Sequence, residues 1–163
     1  MAYIVAVCQS QKRTEPKADV GEGELRAGHG LVGDAHAGLS ERQISLLAIE
    51  SIERASREHG ITAMPGSFAE NLTTEGLDLG ALKVGDGLRA GEAELIVVQL
   101  GKPPGAAHTY NYQGVSILPR EGVFCRVGRS GRVRRGDEIA LISLSPPGAL
   151  AQPNGSQFNQ EES

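Results

Sequence analysis

The residues best suited to chemistry gather first in a glycine-rich stretch, Gly28-His29-Gly30-Leu31-Val32-Gly33-Asp34-Ala35-His36-Ala37-Gly38. Glycines let backbone N–H groups come close to a ligand, and such loops can form anion-binding nests. The spacing matches neither a dinucleotide fingerprint nor a P-loop, so a turn-rich crossing between strands is the competing reading. Asp34 and His36 stand two apart and share a face if the backbone is extended. A carboxylate beside an imidazole fixes its tautomer or raises its basicity, which makes the pair a catalytic candidate. The plainer alternative is a hydrogen-bonded structural pair. Zinc would need further protein ligands. None stands at useful spacing, and no metal site is expected.

Other polar groups follow along the chain. Arg42 and Gln43 come next, then Glu70 and Asn71 in Pro65-Gly66-Ser67-Phe68-Ala69-Glu70-Asn71-Leu72. Such residues among β-formers can line a pocket, or simply meet solvent. Gly101-Lys102-Pro103-Pro104-Gly105 is a rigid basic turn, and Arg120 and Arg126 lie beyond it. Converging guanidinium forks suit a phosphate dianion. Arg132, Arg134 and Arg135 read instead as a solvated basic surface. Cys125 sits between Phe124 and Arg126, where a neighbouring cation could activate a thiolate. Adjacent strand residues face opposite ways, however, and a buried thiol is often just a small hydrophobe. Cys8 invites that second reading more strongly.

The chain must position these groups within 163 residues, which suits one domain with one core. Aromatics are only 4% and tryptophan is absent, so the core must rest on Val, Ile, Leu and Ala. The 22 glycines, many beside Asp or His, point to tight turns between short strands. A net charge of −4 argues against a dedicated nucleic-acid binder without excluding a local positive pocket. Two cysteines cannot build a disulfide framework. The apolar run at Tyr3–Val7 lacks the length and basic flank of a signal peptide. No stretch approaches the roughly 18 apolar residues of a membrane span. A reduced, cytoplasmic setting is therefore expected, with no membrane and no nucleic-acid partner.

Pattern reading predicts a buried strand over Ala2–Cys8, a polar loop over Gln9–Gly23 and a second strand around Glu24–Arg26. Ile44–Leu47 reads as a strand end running into a helix over Ala48–His59. There Ile49, Ile52 and Ala55 form an apolar stripe, Glu50 and Arg54 an i,i+4 pair, and Gly60 a stop. Strands are expected over Phe68–Thr73, Ala93–Leu100 and Gly122–Val127. Gly-Asp turns at 85–86 and 136–137 should feed two more. The tail 145–163, rich in Pro, Gln, Asn and Ser, is expected to be disordered.

Taken in order, these segments resemble the MOSC family, named after the C-terminal domain of molybdenum-cofactor sulfurase. The resemblance covers 1–144. It is carried by the Gly28–Gly38 stretch, Arg42-Gln43-Ile44-Ser45-Leu46-Leu47, Pro65–Leu72, Val84-Gly85-Asp86, Pro119-Arg120-Glu121-Gly122-Val123-Phe124 and Gly136-Asp137. It implies a mostly-β fold, a β-barrel like that of the pyruvate-kinase barrel domain with a few short helices. It also implies a molybdopterin-type cofactor as ligand. Molybdoenzymes or cofactor-synthesis proteins are the implied partners. Molybdenum-ion and pyridoxal-phosphate binding, sulfur carriage and metal–sulfur cofactor maturation belong to the family description. On this reading Gly33, Arg42, Asn71, Lys102, Arg120 and Arg126 hold the cofactor. The alternative is an enzyme, either a sulfur transferase using Cys125 or a small-molecule enzyme using Asp34 and His36. The family often has a cysteine after the Gly-Lys-X turn, where this chain has Pro104. Proline offers neither nucleophile nor ligand, which favours binding over persulfide chemistry. It also leaves room for a pocket turned to another small anionic or sulfur-containing ligand.

Overall fold

The computed structural model describes residues 1–13, 15–38, 40–101 and 111–144. The Lys102–Gly105 turn and the tail from residue 145 lie outside the described residues. Eleven strands run in the order β1 (Tyr3–Gln9), β2 (Ala18–Asp19), β3 (Glu22–Arg26), β4 (Gly30–Leu31), β5 (Ile44–Ala48), β6 (Leu72–Glu75), β7 (Gly87–Ala90), β8 (Ala93–Leu100), β9 (Val123–Arg129), β10 (Gly131–Arg134) and β11 (Ile139–Ile142). Helix α1 (Ile49–His59) follows β5, and the one-turn α2 (Leu118–Glu121) precedes β9. Among the described residues none of the helices is long and apolar enough to cross a membrane.

Eight strands form one sheet in the order β11-β7-β8-β9-β5-β6-β1-β2, and β10-β3-β4 form a second. All named pairings are antiparallel except β5 with β6. The large sheet curls until its first and last long strands nearly meet. Ile4 N donates to the Asp137 carbonyl at 2.8 Å, Gly136 N to that of Ile4 at 2.7 Å, and Ile139 N to that of Ala2 at 3.1 Å. The fold is barrel-like, joined by these few bonds rather than by a full ladder.

Strand alternation decides what fills the interior. Val7, Ile44, Leu46, Leu72, Leu95, Val123, Cys125 and Val127 share one core with Leu25, Leu31 and Val133 of the small sheet. A second cluster lies on the outer face, where Leu47 meets Ile52 and Ala55 of α1, with Phe68 and Ile117. The helix ends as expected: Gly60 takes a left-handed conformation, φ 63°, and its N–H donates to the Ser56 carbonyl.

Three expectations are corrected. The strand predicted from Phe68 begins only at Leu72, because Ala69 (φ 67°) and Gly66 (φ 89°) turn the backbone out of extended geometry. A Cβ at Gly66 would collide with the Lys17 carbonyl, so glycine permits this close approach. The Gln9–Gly23 loop contains β2, paired to the end of β1. Glu50 and Arg54 do not pair with each other. Glu50 accepts from Gly76 N at 2.9 Å, and Arg54 bonds Glu121 instead.

Candidate functional site

One row of side chains crosses the outer face of the large sheet. The pairings Gln99↔Phe124 and Ser45↔Phe124 join β8, β9 and β5. Asn71 N then donates to the Ser45 carbonyl at 3.0 Å, and Cys8 N to the Asn71 carbonyl at 2.7 Å. The flanking Val7, Ile44, Leu72 and Cys125 point into the core, so alternation turns the row outward. Asn71, 1% exposed, binds this row together. Its Oδ1 accepts from Ser45 N at 3.0 Å and Ser45 Oγ at 3.3 Å, while Nδ2 donates to the Cys8 carbonyl at 3.2 Å. These bonds link β5 to β1 across the lead-in to β6.

The register also fixes which predicted residues share one end of the sheet. Strands β1 and β9 run one way, and β5 runs the other. Two residues past Phe124 on β9 is Arg126, and two before Ser45 is Gln43. Two past Cys8 is Ser10. All three therefore lie toward the same end, on the row's own face. Gln43 Oε1 accepts from Val127 N at 2.9 Å, which ties the Arg42 segment to β9. The Arg42 guanidinium stands 6.0 Å from the centre of the Phe124 ring. Arg26, Arg54, Arg89, Arg129, Arg132, Arg134 and Arg135 each reach a carboxylate within 4.0 Å. Arg42 and Arg126 have no carboxylate partner among the described residues. Thus the expected solvated arginines 132, 134 and 135 are exposed but paired to Glu22 and Asp19.

At the far side of this end sits a group that sequence reading missed. Lys17 looked like one more charge in a polar loop, yet its side chain is fully buried. Its Nζ lies 2.7 Å from Asp34 Oδ1, 3.1 Å from Ser10 Oγ and 3.1 Å from His36 Nδ1. Asp34 also accepts from Ser10 N and His36 N, each at 3.1 Å. Burial alone would push the Asp34 carboxyl up. Its bonds to His36, Lys17 and the Ser10 amide, with the Lys17 charge, outweigh that and hold it well below the usual carboxylate range. Asp34 and His36 come together through a turn, with Ala37 N donating to the Asp34 carbonyl, rather than through extended backbone. The ring lies against the carboxylate, with Nδ1 and Oδ2 3.8 Å apart, close enough to act on its charge but longer than a hydrogen bond. Gly33 lies beside Gln9 at the end of β1. No local pattern marks Lys17, because its partners stand up to 19 residues away.

The remaining candidates fall elsewhere. Cys125 is wholly buried in the core, and burial pushes its thiol up to about 12. The placement gives a nucleophilic role no support: the thiol faces away from Arg126, the cation invoked to activate it. Cys8 is buried too, and burial with the nearby Glu70 charge pushes its thiol up. Glu70 is fully buried. Its Oε2 accepts from Gly66 N at 2.8 Å and Thr73 Oγ1 at 2.6 Å, while Oε1 has no partner among the described residues. Burial pushes its carboxyl up.

Arg120 lies at the opposite end of the sheet, on α2, apart from Arg42 and Arg126. It borders an open cavity of about 490 Å³ with Arg54, Glu121, Ser51, Glu50 and Asp78. Lys102 and Pro104 lie outside the described residues. Among the described residues no three His, Cys, Asp or Glu side chains gather closely enough to hold a metal ion.

A family model described as the MOSC domain matches residues 33–140. The structure is similar to that of the YuaD protein from Bacillus subtilis, with TM-score 0.69 and 22% identity, covering 85% of this chain and 93% of that one. YiiM from Geobacillus stearothermophilus aligns with TM-score 0.70 at 20% identity, over 88% of this chain and 76% of the other. YiiM from Escherichia coli aligns with TM-score 0.63 at 26% identity, over 89% and 71%. No curated protein sequence gives a significant match.

Proposed function

The chain belongs to the MOSC domain family, and from that premise we propose that it binds a molybdopterin-type cofactor, gripping the phosphate at Arg42 and Arg126. One observation carries this reading. Among the described residues seven arginines pair with carboxylates, whereas Arg42 and Arg126, like Arg13, Arg57 and Arg120, do not, and of those five these two lie on β9 or beside the Phe124 ring, toward one end of the large sheet. A guanidinium that keeps its planar fork free is suited to a phosphate. The cofactor would supply the metal–sulfur chemistry; the chain binds and orients it. An imine to pyridoxal phosphate draws no support from Lys17, the buried lysine, whose ammonium is held among Asp34, Ser10 and His36.

Reading the chain as a cofactor carrier makes molybdoenzymes or cofactor-synthesis proteins its recipients, and the reducing cytoplasm its setting. Sulfur transfer through Cys125 draws no support from a thiol buried in the core.

The test is retention. Protein incubated with released molybdopterin and passed through a sizing column should carry the pterin fluorescence. Losing one charge-assisted phosphate bond weakens binding by roughly tenfold or more, so Arg42→Ala and Arg126→Ala should each shed the ligand. Arg120→Ala should not. No retention by the unaltered protein, or retention indifferent to both arginines, rejects the reading.

A further inference from the structure

We propose that Lys17 is a positioning residue that locks the His36 ring in one tautomer, so that His36 offers Nε2–H as a second anchor for the ligand. An ammonium has three hydrogens and accepts nothing. Here three atoms stand within hydrogen-bond reach of its three hydrogens: Asp34 Oδ1 at 2.7 Å, Ser10 Oγ at 3.1 Å and His36 Nδ1 at 3.1 Å. Ser10 Oγ in turn donates to the Lys12 carbonyl at 2.8 Å, which orients its lone pairs toward Lys17. Nδ1 of His36 must therefore present its lone pair, and the ring proton belongs to Nε2. The lysine side chain is fully buried, while the imidazole keeps 37% of its surface open. A dry, saturated cation thus aims a half-open ring.

The placement sets the class of ligand group. His36 stands beside β1 at the end of the sheet that carries Arg126 on β9, with β6 and β5 between the two strands. With two strands between them, the arginine and the imidazole would meet different parts of one ligand, an anion at the first and a carbonyl or oxyanion acceptor at the second. This step rests on the cofactor reading for the ligand's identity, but the lock itself does not.

The experiment has two arms. In ligand-free protein, nitrogen-15 spectra of the His36 ring at neutral pH should show a single Nε2–H tautomer with Nδ1 as acceptor. Lys17→Met should release the ring into a mixture. An Nδ1–H ring, or a spectrum unchanged in Lys17→Met, overturns the lock. Should Lys17→Met fail to fold, the Lys17 ammonium of the unaltered protein decides. Long-lived ammonium protons in contact with the His36 ring are expected, and rapidly exchanging ones reject the lock.

The second arm is molybdopterin retention by ring variants. His36→Gln keeps a donor near the Nε2 position and should hold affinity within about threefold. His36→Leu should lose roughly tenfold, the worth of one hydrogen bond to a charged or polar acceptor. Equal loss in both overturns the donor assignment. If the unaltered protein retains nothing, the cofactor reading and with it the anchor fall, while the ring spectrum still decides the lock.

Discussion

The two ends of the large sheet carry the same kinds of charge in opposite settings. At one end Lys17 and Asp34 form an ion pair 2.7 Å apart with both side chains fully buried. Three acceptors surround the ammonium there, and Arg126, without a carboxylate partner among the described residues, lies toward the same end on β9. At the other end Arg54 and Glu121 pair in the open, 45% and 26% exposed, over a wide cavity. The first arrangement can hold a ring or a fork in one orientation, because rearranging it means breaking bonds in a dry medium. The second exchanges with water at little cost. A cavity alone is therefore a poor guide to chemistry in this molecule. The end with locked charges is the better candidate, although the open cavity of about 490 Å³ lies at the other.

The contrast can be broken by substitution. The largest effect should come from Lys17→Met, which leaves Asp34 buried without its partner and should cost about 3–5 kcal/mol in urea unfolding. A companion Asp34→Leu should recover much of that loss. A cost as small as that of a surface pair would erase the distinction between the ends. Acid should act through the same group. Asp34 has a depressed folded pKa, so its contribution is present above the ordinary carboxylate value of about 3.9 and is lost as pH falls through the depressed one. Asp34→Asn should flatten that acid limb of the stability curve.

Next comes Asn71→Ala, which strands the Ser45 amide and the Cys8 carbonyl and should cost about 2–3 kcal/mol. Its thermal midpoint reads the effect. Glu70→Gln should act in the other direction. The folded pKa of Glu70 is raised, so its stabilising proton is present below the unfolded value of about 4.3 and lost as pH climbs through the folded one. Glutamine cannot ionise and can still accept from Gly66 N and Thr73 Oγ1. Stability at pH 8 should hold or rise by about 1 kcal/mol, and the alkaline decline should vanish. The smallest effect is expected at the open end, where Glu121→Gln should change unfolding free energy by less than about 1 kcal/mol and less still in high salt.

Local signals were legible where the chemistry is local. The Ala93–Leu100 alternation, the Ile52 and Ala55 stripe ending at Gly60, and the Gly-Asp turns before β7 and β11 all state their element within a few residues. Reading failed at Phe68–Asn71, where Phe68, a β-former, lies in a turn and Ala69 has positive φ, because Gly66 must pass against the Lys17 backbone. It failed again at Glu50 and Arg54, whose proper spacing was overruled by partners on other segments. For the candidate site, residue type marked Arg42, Arg120 and Arg126 alike, and only the fold separates them, with Arg120 on α2 at the end of the sheet opposite Arg126.

The sequence by itself determined the mostly-β character, the family and the identity of most polar groups near the row. Those follow from periodicity, turn chemistry and an ordered set of motifs, all of which are properties of short neighbourhoods. Only the tertiary structure decided that Lys17 is a buried anchor, that Cys125 faces the core and that Asn71 serves the sheet. Burial and hydrogen-bond saturation depend on strand register, which brings residues dozens of positions apart within 3 Å while sending adjacent ones to opposite faces.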